Sequence, residues 1–104
     1  MSQFDVFENP IARARRAYPL VAVLQSDLAE TGRDRIVAPL VPRQSLPGTV
    51  GRLTPHVTIA GVEHVLLIPS MTAMLADDLR QPRGQLVPYR DQIVAALDCL
   101  FLGV

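Results

Sequence analysis

The side chains able to do chemistry in this chain are few and scattered. His56 and His64 flank Ala60-Gly61 at nearly equal spacing, so they could meet across a hairpin turn as a metal pair. A metal site needs a third ligand, and strand alternation turns Glu63 away from His64. The two histidines therefore read as exposed or half-exposed strand residues, and no metal is expected. Ser26-Asp27 with a distant histidine imitates part of a hydrolase triad, but no nucleophile elbow or glycine-rich oxyanion loop accompanies it. A serine or Asx turn at a strand end explains the pair. Asp77-Asp78 are adjacent carboxylates before a loop, which read as solvated. Gly48 and Gly51 are followed by neither a lysine nor a helix, so they form no phosphate loop. Cys99 has no His or Arg one helical turn away to activate it. These residues give no catalytic set and imply no cofactor; they favour a protein that acts by binding.

The elements around them read as short strands followed by one helix. Gln3-Phe4-Asp5-Val6-Phe7 alternates as a half-buried strand does, and Asn9-Pro10 marks a turn. Arg13, Arg15 and Arg16 form a basic patch before a second strand over Tyr18–Gln25. Ser26-Asp27 ends that strand and Glu30-Thr31-Gly32 carries the chain round. Arg35–Val41 is a third strand, where Pro39 suggests an edge or a bulge. A loop with Pro42, Pro47, Gly48 and Gly51 covers 42–54. Pro55–Ile59 and Val62–Ile68 form a hairpin about Ala60-Gly61, and Met71–Leu75 is a short sixth strand. Asp77–Gly84 reads as a polar loop. Pro88 suits a first helical turn. Ile93, Ala96, Leu97, Leu100 and Phe101 then make a stripe that faces a core. Asp91, Ala95, Asp98 and Leu102 lie opposite, so a leucine ends a face that is otherwise polar or small.

Phe101-Leu102-Gly103-Val104 finish this helix with apolar side chains. A terminal helix frays unless tied down, so such an end is expected to be buried in a partner subunit or held as a binding surface. The pattern predicts a mainly β fold, a small antiparallel barrel or sheet covered by one C-terminal helix. At 104 residues the chain reads as one domain. Its 49% hydrophobic and 19% charged residues are a folding composition. Ten arginines balance ten acidic residues and lysine is absent, which argues against field-driven nucleic-acid binding. The single cysteine fits a reducing compartment. No signal peptide is apparent at Met1–Asp5, and the apolar run at Leu20–Leu24 is too short for a bilayer. A soluble, cytoplasmic protein is expected.

Four segments carry a family resemblance. They are Gln3–Phe7, Val23-Leu24-Gln25-Ser26-Asp27-Leu28, Arg35-Ile36-Val37-Ala38-Pro39-Leu40, and Ile93–Val104 with its Leu-Phe-x-Gly-Val ending. In order and spacing, over nearly the whole chain, they resemble the CcdB toxins of type II toxin–antitoxin systems. The resemblance implies an SH3-like barrel of the CcdB/MazF kind with a C-terminal helix, and a homodimer with the two helix ends side by side. It implies a CcdA-like antitoxin whose disordered C-terminal segment wraps the dimer. The freed toxin poisons DNA gyrase by inserting its chain end between the arms of the gyrase A subunit, so DNA is touched only indirectly and no membrane is involved. The implied contact is Leu102, Gly103 and Val104, with Asp98, Ala95 and Leu28 beside it. The family's terminal tripeptide is Trp-Gly-Ile, and two helix positions that are Asn in the family are Ala95 and Asp98 here.

Two rival functions share this fold. The related MazF-type toxins are endoribonucleases, which would need a basic groove with a hydroxyl and a protonating arginine; Arg13, Arg15, Arg16, Arg35, Thr31 and Thr58 are the raw material. The other rival is a non-toxic homologue that still binds antitoxin.

Overall fold

The computed structural model describes residues 1–29, 31–46 and 51–103. Seven strands and one helix carry the fold: β1 Asp5–Glu8, β2 Leu20–Val23, β3 Asp34–Pro42, β4 His56–Ile59, β5 Val62–Leu66, β6 Thr72–Leu75, β7 Pro82–Gln85 and α1 Arg90–Leu102. Every strand pairing is antiparallel, in the order β4-β5-β3-β2-β1-β7, with β6 also paired to β3. The sheet curls into a half-barrel, and Gly84 of β7 lies against Ile59 of β4. A Cβ at Gly84 would sit 3.3 Å from Ile59 Cγ2, so the lack of a side chain permits this approach. The expected antiparallel, barrel-like fold with one C-terminal helix is the fold observed.

Alternation along the central strands explains why the sheet is buried on both faces. Val6, Ala22, Ala38 and Leu40 point to one side and join Phe4, Leu24, Ile59, Leu66, Ile68 and Leu86 beneath α1. Phe7, Val21, Val23 and Val37 point to the other side and are covered by Leu79 and Met74. A strand buried on both faces reads as a continuous apolar run, as Leu20–Leu24 does. Ile93 and Ala96 seat α1 on the first core, with Leu97 and Leu100 packed at its margin. Burying a side chain the size of Ile93 contributes about 1.5–3 kcal/mol.

Local geometry sets the connections. Ala60 (φ 50°) and Gly61 (φ 78°) both have positive φ, as a two-residue type I′ turn demands, so the expected tight turn is present. Phe4 also has positive φ, 71°. Its N–H donates to the Val23 carbonyl (2.7 Å) and its carbonyl accepts from Leu86 N–H (2.9 Å), which pins its ring in the core. A 3-10 turn over Val87–Tyr89 contains Pro88 and leads into α1, and the Tyr89 hydroxyl accepts from the Thr58 N–H of β4 at 3.0 Å.

Three expectations are corrected. Residues 82–84 of the expected Asp77–Gly84 loop belong, with Gln85, to strand β7 on β1; all four are exposed, so no apolar alternation marks them. Pro39 lies in the central strand, not at an edge or in a bulge. On the side to which its missing N–H points, β3 pairs with β5 through Leu40–Pro42 and with β6 through Asp34–Val37. Pro39 falls at the junction, where its carbonyl accepts from Leu67 N–H (2.9 Å) and no ladder donor is required. Phe101, expected to face the core, is 67% exposed. It lies about 80° round the helix from Ile93, at the margin of the stripe. The expected turn residue Glu30 and the loop residues Pro47 and Gly48 lie outside the described residues.

Candidate functional site at the helix tip

The end of α1 is built to present apolar surface. Leu102 lies about 180° from Ile93 around the helix, so the core that holds Ile93 cannot cover it, and it is 71% exposed. With Phe101 it forms an apolar tip. Gly103 closes the helix in the left-handed region (φ 70°), its N–H donating to the Cys99 carbonyl at 3.2 Å. Glycine takes that conformation without the Cβ clash other residues meet. The last turn is therefore capped by its own backbone, and the tip keeps a defined shape. Asp98 and Ala95 are exposed on the same face as Leu102, one and two turns back. Ala95 also borders a groove of about 350 Å³ with Thr54, Pro55, His56 and Gln92. Val104 lies outside the described residues.

Leu28 stands on a different element, the β2–β3 loop, and is 92% exposed. The preceding Gln25-Ser26-Asp27 explains how so exposed a leucine is held. Gln25 Oε1 accepts from Ile36 N–H at 2.8 Å, and Gln25 Nε2 donates to Thr31 Oγ1 at 3.0 Å and to the Ala29 carbonyl at 3.2 Å. Ser26 Oγ accepts from Leu28 N–H at 3.1 Å. Asp27 Oδ1 accepts from Gln3 N–H at 2.7 Å, and Gln3 Nε2 donates to the Leu24 carbonyl at 2.9 Å. Ser26 makes the expected turn bond to Leu28, whereas Asp27 forms no Asx turn and instead ties the loop to Gln3 at the start of the chain. The tripeptide is a brace, and Leu28 is what it displays.

The histidines do not form a pair. The β4–β5 register sets Val57 opposite His64 and Val65 opposite His56, so the two rings lie on opposite faces. His64 is also buried rather than exposed, at 6%, among the apolar residues of β5. Its Nδ1 lies 2.9 Å from the Val62 carbonyl, a contact that places the proton on Nδ1. Glu63 instead pairs with Arg43 at 3.2 Å on the surface. Among the described residues no three His, Cys, Asp or Glu side chains gather as a metal site would need.

The material for ribonuclease chemistry is spread over three elements. Arg13, Arg15 and Arg16 lie between β1 and β2, where Arg15 Nε donates to the Asn9 carbonyl (2.8 Å) and sits 3.5 Å from Glu8. Arg35 is folded onto the carbonyls of Gly32 (2.9 Å) and Asp34 (2.7 Å). The Thr31 hydroxyl donates to the Asp34 carbonyl at 2.6 Å. Thr58 is on β4, three strands away from β2 in the sheet.

The family model described as CcdB protein matches residues 3–103. The chain belongs to the CcdB family. CcdB membership covers nearly the whole chain, and it agrees with a half-barrel and terminal helix whose tip is apolar and exposed. It supports a toxin of a toxin–antitoxin pair. No curated protein matches the chain. The apolar end expected at Phe101-Leu102 is exposed at this CcdB tip; only the placing of Phe101 in the core-facing stripe fails, at its marginal angle from Ile93. No helix among the described residues is long and apolar enough to cross a membrane.

Proposed function

We propose that this chain is the toxin of a type II toxin–antitoxin module and poisons DNA gyrase through the end of α1. The observation that carries the reading is the exposed Phe101-Leu102 tip fixed by Gly103 in a CcdB-family chain. The chain acts as one toxin domain and a cytoplasmic homodimer, with two tips side by side forming a continuous apolar wedge. Asp98, Ala95 and Leu28 flank the wedge, and Leu102, Gly103 and Val104 enter the gyrase A subunit. Where the family carries an aromatic residue, Leu102 supplies apolar area without a π face for cation stacking. The contact is then driven by burial, at about 25 cal/mol per Å² removed from water. A CcdA-like antitoxin covers the same dimer with a segment that folds on binding, and such pairing serves plasmid maintenance. DNA is engaged only through gyrase or the antitoxin.

The test is gyrase-mediated DNA cleavage with purified chain. The proposal predicts accumulation of linear DNA with wild-type chain and none with Leu102→Asp. RNA cleavage by the purified chain, abolished by substitution of one arginine, would support the MazF-like alternative instead. Antitoxin binding without either effect would mark a non-toxic homologue.

A further inference from the structure

Asp27 and Arg35 line the same cavity and form no ion pair with each other. The cavity, of about 470 Å³, lies beside Leu28 and is walled by Asp27, Ala29, Thr31, Gly32 and Arg35. A smaller recess of about 90 Å³ shares Asp27, Ala29 and Arg35 and reaches Val23. Each charged side chain is held by the backbone instead. Arg35 Nη1 donates to the carbonyls of Gly32 (2.9 Å) and Asp34 (2.7 Å), and Asp27 Oδ1 accepts from Gln3 N–H (2.7 Å). Among the described residues this leaves two groups without a partner, the Nε–Nη2 edge of Arg35 and Oδ2 of Asp27. The parallel N–H groups of that arginine edge suit a carboxylate.

The lack of a partner sets Arg35 apart. Arg15, Arg43 and Arg83 each lie against a glutamate. Arg35 is half-buried, yet among the described residues it meets no carboxylate. A partly desolvated charge costs free energy until it is paired. The walls that keep Asp27 and Arg35 apart are braced. Gln25 bonds to Thr31 and to the Ala29 carbonyl, and the Thr31 hydroxyl donates to the Asp34 carbonyl at 2.6 Å. A Cβ at Gly32 would meet nothing within 4 Å, so that wall leaves the mouth clear. The volume is within the size range of ligand sites.

We infer that this cavity binds a small zwitterion of the α-amino acid class. The ligand carboxylate accepts from Nε and Nη2 of Arg35, and its ammonium group donates to Oδ2 of Asp27. Both signs are required, because Asp27 opposes a simple anion and Arg35 opposes a simple cation. Positions fixed before the ligand arrives reduce the ordering cost of binding. The site stands on the β2–β3 loop, off the helix tip, and does not depend on the gyrase reading.

The test is an NMR titration of the full chain with glycine and with L-alanine, followed at the backbone amides and at the arginine Nε–H groups. Saturable shifts should appear at Asp27, Ala29, Gly32 and Arg35 Nε–H, with half-saturation at about millimolar concentration. Acetate and methylammonium, which carry one charge each, should bind at least roughly tenfold more weakly. Asp27→Asn keeps an oxygen acceptor for Gln3 N–H and removes the charge. It should hold the melting temperature and weaken glycine binding by roughly tenfold. Arg35→Lys keeps the charge without the planar fork and should weaken binding to a similar degree. The inference is overturned if no shift saturates, if the saturating shifts lie elsewhere, if acetate binds as well as glycine, or if Asp27→Asn binds as wild type does.

Discussion

Gln25 and Ile36 are joined by a hydrogen bond in which a side-chain carbonyl takes the place of a strand partner, Ile36 N–H to Gln25 Oε1 at 2.8 Å. The same amide group donates to Thr31 and Ala29, so one side chain sets both the start of β3 and the shape of the loop that carries Leu28. Replacing Gln25 with Ala leaves the Ile36 N–H without its acceptor. Gln25→Ala should destabilise the fold by about 1–3 kcal/mol, measured by denaturant unfolding. It should also raise proteolytic cleavage in the β2–β3 loop. Unchanged stability and unchanged cleavage would show that the brace is dispensable.

Ala60 holds a positive φ of 50° at the first centre of the β4–β5 turn, where a Cβ is unfavourable. Ala60→Asn supplies a residue that tolerates this region and recreates the Asn-Gly turn preference. The variant should be more stable by roughly 0.5–1 kcal/mol, visible as a higher melting temperature. A lower one would contradict the type I′ reading.

Gly84 sits where a Cβ would meet Ile59 Cγ2 at 3.3 Å and Cδ1 at 3.5 Å. Ile59 is buried in the main core and has little room to yield. Gly84→Ala should therefore cost about 1–3 kcal/mol as an overpacked contact. Ile59→Val removes Cδ1 and should recover part of that loss in the double variant, giving a measurable coupling. Additive costs would place the two residues out of contact.

Much of this fold was legible because its strands carry their burial in their residue types. Val, Ile and Leu mark β2, β3 and the β4–β5 hairpin, and Ala60-Gly61 marks the turn between the last two. β7 escaped because Pro82, Arg83, Gly84 and Gln85 are all exposed, so its place comes from pairing with β1 and not from its own pattern. Pro39 misled because the rule about proline concerns a missing donor, and the junction of β5 and β6 leaves that donor without a ladder partner. The histidines could not be placed without the register, since a shift of one residue moves a side chain to the other face. At the candidate site the exposure of Leu102, Ala95 and Asp98 followed from helical periodicity. Phe101 was misassigned because periodicity fixes an angle but not how far the sheet beneath the helix extends.

The apolar tip is the centre of the account, and direct binding of the purified gyrase A subunit tests it. Leu102 is exposed, so Leu102→Asp should leave the melting temperature unchanged. Wild-type chain should bind the subunit, and the variant should bind at least roughly tenfold more weakly, the loss expected when a charge replaces a central apolar anchor. Equal binding by the two proteins, or no binding by either, would contradict it.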